Sequence, residues 1–174
     1  MRRAMLHLLL ALVLLLAAQA AFAASEITVT VTLGQLGVGV TPSSWALGIV
    51  TPTRSRTSWI TGNPGHFQAT NTGNTMADIT ISAGSTSPSG WTADPDNPGL
   101  DLYMIAFGIG SPPYDVEPAY QVFWDDPPWP LASDVPVAGT VDFDLRFTAP
   151  TSDSTYDAGG ETFAVTLGAA ESTP

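Results

Sequence analysis

The chain has 174 residues, with sixteen acidic and five basic side chains, no cysteine and a net charge of −11 at pH 7. That charge repels nucleic acid and anionic membranes, which both need a basic footprint to release counterions, and the missing cysteines exclude disulfide bracing. Glycine (16) and proline (15) stay below the ~25–30% that marks low complexity, so the apolar residues are numerous enough for one packed core.

Residues 1–23 read as a secretory signal peptide: Arg2 and Arg3, an apolar run from Leu8 to Ala18, and a small-x-small end at Ala21-Phe22-Ala23. Its removal leaves one domain, 24–174, with three Arg, no Lys and sixteen acids, a net charge of −13. No second apolar run reaches spanning length, so no membrane span is expected, and the protein is expected to be secreted, extracellular or at the cell surface. The first stretch after the leader, "ASEITVTVTLGQLGVGVTP", alternates Ile27, Val29, Val31 and Leu33 with threonines. Residues 24–40 therefore read as an N-terminal strand followed by a tether spaced by Gly34, Gly37 and Gly39.

Further strands follow by their two-residue apolar period. "SSWALGIV" predicts a short strand around Trp45, Leu47 and Ile49; "GHFQATN" and "MADITISA" predict two more, joined as a hairpin by the Asn71–Asn74 turn "NTGN". "LDLYMIAFGI" is apolar on both faces, as in a strand covered on both sides. "TVDFDLRFT" alternates Val141, Phe143, Leu145 and Phe147 against Asp142, Asp144, Arg146 and Thr148, and "ETFAVTLG" turns Phe163, Val165 and Leu167 inward. Short strands with proline-rich gaps and no sustained helical period predict an all-β fold, a single antiparallel β-sandwich with immunoglobulin-like or jelly-roll wiring.

The order of "TPSSWALGIV", "ATNTGNTMADITIS" and "VDFDLRFTAPTSDSTYDAGGETFAVTLGA" resembles small secreted β-sandwich proteins of bacterial and archaeal surfaces, among them TasA-like and archaeal bundling-pilin fibre subunits. The resemblance implies a self-assembling fibre subunit in which a terminal strand of one copy completes the sandwich of the next. The resemblance would make Ile27, Val29, Val31 and Leu33 the donor side chains, since alternating apolar residues fill pockets along an open sheet edge; by its residues alone the stretch 26–33 also fits the first strand of its own sandwich. The proline-rich "GSPPYDVEPAYQVFWDDPPWP" departs from those relatives.

Two other constellations are candidates for ligand chemistry. Tyr114, Tyr120, Trp124 and Trp129 stand beside acidic residues, a composition suited to a glycan-binding platform, which makes an adhesive module for surface polysaccharide the alternative function. Asp94, Asp96, Asn97 and Asp101 cluster oxygens on one turn and are candidate calcium ligands; no other cofactor is expected. Catalysis is not expected: His66 is the sole histidine beyond the leader, and no "GxSxG" elbow or "HExxH" pair is present.

Overall fold

In the computed structural model, the structure describes residues 32–59, 65–87, 90–110, 117–154 and 161–172. The chain divides into two units, Met1–Leu33 and Gly34–Pro174. Residues 1–31, among them Ile27, Val29 and Val31, lie outside the described residues, and Leu33 is 79% exposed. All elements that follow belong to the second unit.

Every regular element among the described residues is a β-strand: β1 (Val38–Thr41), β2 (Ser55–Thr57), β3 (Phe67–Asn71), β4 (Ala77–Ala83), β5 (Thr92–Ala93), β6 (Leu102–Ile109), β7 (Gln121–Phe123), β8 (Trp129–Val135), β9 (Thr140–Thr148) and β10 (Val165–Glu171). They form two sheets. The larger runs β1-β3-β9-β6-β5, with β2 on β9 and β7 on β6; the smaller runs β10-β4-β8. All ladders are antiparallel except the short β5–β6 pair. No described helix is long and apolar enough to cross a membrane.

The alternation explains the two-sheet layout. Ala77, Ile79, Ile81 and Ala83 of β4 are buried every second residue, and Ile79, Ile81 and Ala83 meet Phe67, Phe143, Leu145 and Phe147 of the larger sheet in one core. Aromatic rings carry much of that core: Phe67 stacks on Phe143 at 5.5 Å, and Tyr103, Phe147 and Phe163 lie within 4.9–5.6 Å of one another. Such pairs add to the area they bury. Tyr103 also donates from its hydroxyl to the Gly84 carbonyl at 2.5 Å. β6 is buried along most of its length, as its two-faced apolar run requires.

Four expectations are corrected. "SSWALGIV" forms no strand, and residues 42–50 run as irregular chain. The Asn71–Asn74 turn is not a hairpin: β3 and β4 lie in different sheets, and the turn carries the chain between them. Buried Asn71 fixes that crossing, donating from Nδ2 to the carbonyls of Thr75 and Val135 and accepting from Gly73 N. The glycine-spaced run is not all tether, because Val38–Thr41 pairs with β3, and Gly37 and Gln35 accept backbone bonds from Thr72 and Asn74. Asp144, expected on the solvent face of β9, is 0% exposed.

The burial of Asp144 follows from how β9 is flanked. β2 and β3 lie end to end along one side of β9, pairing with residues 146–148 and 140–143. Ser58, just after β2, and His66, just before β3, both reach Asp144. Ser58 N donates to Leu145 O, Ser58 Oγ accepts from Leu145 N at 2.8 Å, and the same hydroxyl donates to Asp144 Oδ1 at 3.2 Å. His66 Nδ1 sits 2.9 Å from both carboxylate oxygens. A buried carboxylate requires such partners.

Candidate functional site

The two edges of the smaller sheet differ. β8 carries Pro130, breaks register twice against β4, and turns through Asp134 with φ 55°; proline and irregularity protect an edge from further pairing. β10 has seven residues, no proline and one charge, at its last residue Glu171. It pairs with β4 on one side, and among the described residues none of Val165–Glu171 makes a backbone bond on the other. An unpaired edge of this length is a template for another strand.

Beside that edge the core is open. Val165 and Leu167 of β10 are half-buried and face Phe67, Phe143 and Leu145 across a cavity of about 560 Å³, with Val40 of β1 on its rim. A second cavity of about 520 Å³ continues past Phe163 to Trp91, Phe147 and Pro150. Leu47, Gly48, Glu161 and Phe163 line both. Ile49, 90% exposed, stands at the far rim. The result is an apolar groove between β10 and the larger sheet, alongside an edge whose outward backbone groups have no backbone partner among the described residues.

Of the aromatic candidates, Tyr120, Trp124 and Trp129 are among the described residues. Tyr114 lies outside the described residues. Tyr120 precedes β7; its hydroxyl shares a 2.9 Å bond with Thr57 Oγ1 and its ring lies 4.6 Å beneath the Arg146 guanidinium. Burial pushes the Tyr120 phenol up, assisted by the charges of Asp144 and Glu117 and opposed by the Thr57 bond and Arg146. Trp124 and Trp129 meet edge to face at 4.9 Å and 70°, where the chain passes from β7 in the larger sheet to β8 in the smaller. Trp124 Nε1 donates to the Asp126 carbonyl, and Trp129 packs against the core.

The acidic turn uses its oxygens on its own chain. Asp94 Oδ1 accepts from the amides of Asp96 and Asn97 at 2.9 and 3.0 Å, which holds its carboxyl below the usual range. Asp101, in the left-handed region at φ 56°, accepts from Ser154 N at 2.7 Å and from the Ser154 hydroxyl, and these bonds lower its carboxyl too. Among the described residues no three His, Asp or Glu side chains come together as metal ligands.

Sequence reasoning missed the pairing of His66 with Asp144, which lie 78 positions apart. Ser58 bonds the carboxylate rather than the imidazole and is itself fully buried, so the trio braces the β2–β3 junction. It also missed the groove, although its lining from β9 and β10 was read as inward-facing. Comparison with known protein families, with characterised proteins and with solved structures gave no match.

Proposed function

We propose that this protein is a secreted β-sandwich that serves as a structural subunit of an extracellular filament, and that residues 27–33 of one copy add as a strand to β10 of the next. The observation that carries this reading is the open β10 edge beside an apolar groove. The N-terminal segment has the complementary pattern: Ile27, Val29, Val31 and Leu33 on one face, threonines on the other, and a single charge at Glu26. Backbone bonding along the edge would give affinity and the alternate side chains would fill the groove. Each such side chain gains roughly 1.5–3 kcal/mol when fully buried. The acidic surface disfavours non-specific stacking of subunits, so assembly would depend on this strand.

The test is negative-stain electron microscopy of residues 24–174 against the same protein with Val29→Asp and Val31→Asp. Filaments are expected from the first only, with both proteins folded by circular dichroism. Filaments from the doubly charged protein would remove the donor role of this strand.

A further inference from the structure

Residues 42–50 lie across the groove just described. The segment leaves β1 at Pro42, alternates half-buried Trp45 and Leu47 with exposed Ser44 and Ala46, and passes through Gly48 at φ 65°. Trp45 reaches down to Phe67, with ring centroids 6.4 Å apart. Yet among the described residues no backbone–backbone hydrogen bond involves any of positions 42–50. Side-chain burial and one long side-chain bond, from Arg56 Nη2 to the Ile49 carbonyl at 3.3 Å, seat it, the condition under which a segment opens at low cost.

Leu47 is the decisive residue because it lines both cavities and so helps to partition one groove into two. Ile27 to Leu33 in extended conformation spans about 20 Å at ~3.3 Å per residue. A strand of that length, with apolar side chains at every second position, needs an uninterrupted groove.

We propose that residues 42–50 are a self-capping strap: they occupy the groove in the single subunit and are displaced when the N-terminal strand of a second copy enters. This rests on the filament reading and adds its regulation. Trp45 and Leu47 shield the groove before assembly, and the incoming Ile27, Val29, Val31 and Leu33 take over the burial that the strap gives up. Assembly then carries a barrier set by release of the strap.

The absence of cysteine allows a single thiol to report on the strap in the full secreted chain. Leu47→Cys is alkylated by iodoacetamide in the filament and in the Val29→Asp, Val31→Asp monomer; the strap predicts a rate at least tenfold higher in the filament. Should Leu47→Cys fail to fold, a nitroxide at Ser44→Cys, an exposed position, reports the same event as a narrowed spectrum on assembly. In parallel, Leu47→Ser shortens the lag of assembly severalfold. Filaments that form with an unchanged or lower alkylation rate, or an unchanged nitroxide spectrum, overturn the strap and leave the filament reading intact. Failure of the unmodified chain to assemble overturns both.

Discussion

Asp144 shows how much one buried charge organises around it. Its carboxylate is held by His66 Nδ1 and Ser58 Oγ, while Ser58 also stands in for a strand partner of Leu145. Removing His66 leaves the carboxylate without its facing cation or donor, so His66→Ala is expected to cost about 2–4 kcal/mol. Asp144→Asn, which keeps the shape and removes the charge, should cost about 1–2 kcal/mol. Urea denaturation of the two variants checks that order, and a neutral His66→Ala contradicts it. Tyr103 gives a pH signature. Burial pushes its phenol above the ordinary value, with a further push from Asp125. The folded state therefore holds the proton more tightly than the unfolded chain; the linked stability is complete below the unfolded value of about 10 and is lost as pH rises beyond it. Tyr103→Phe should lose about 1 kcal/mol at neutral pH with the bond to Gly84 O, and should show a shallower fall in stability above about pH 10. Equal alkaline slopes for the two proteins would show that Tyr103 is not the group responsible.

At the scale of elements, strands with strict alternation were legible in the sequence. Ile79 and Ile81 in β4, Phe67 and Ala69 in β3, and Phe143, Leu145 and Phe147 in β9 are all buried as their period indicates. Which strands share a sheet was not legible, because alternation marks a face and says nothing of the neighbour. "NTGN" has the chemistry of a hairpin turn, yet Asn71 spends its side chain on Val135 and Thr75 and sends the chain to the other sheet. Trp45 and Leu47 alternate like a strand but make no backbone–backbone bond among the described residues, so the same pattern yields a strap. Asp144 was read as solvent-facing because polar residues at every second position ordinarily mark an exposed face. The outer face of β9 is instead covered by chain from beyond the strand, and Gly108, opposite Asp144 on β6, lets Pro118 approach so closely that a Cβ there would lie 2.9 Å from its ring. Gly108→Ala is therefore expected to cost on the order of 1–3 kcal/mol by overpacking, read as a lowered denaturation midpoint with an unchanged slope.

For the whole molecule, the two sheets differ in completeness. Among the described residues the larger sheet fills both flanks of β9 and of β6, whereas the smaller stops at β10 with its apolar face half-covered. The groove could not be read from the sequence, because it forms between residues from β1, β3, β9 and β10 together with the 42–50 segment. The alternation of Ile27, Val29, Val31 and Leu33 could be read there, since it lies in one continuous stretch. The central claim is that Ile27–Leu33 of one copy occupies the groove of another, and a photo-reactive benzophenone side chain at position 167 tests it most directly. After irradiation of the assembled protein, mass spectrometry should find Leu167's replacement bonded to residues 26–33 of a different copy, in a ladder of dimers and higher multimers. Bonds confined to a single chain, or to any other region of a second copy, would contradict the account.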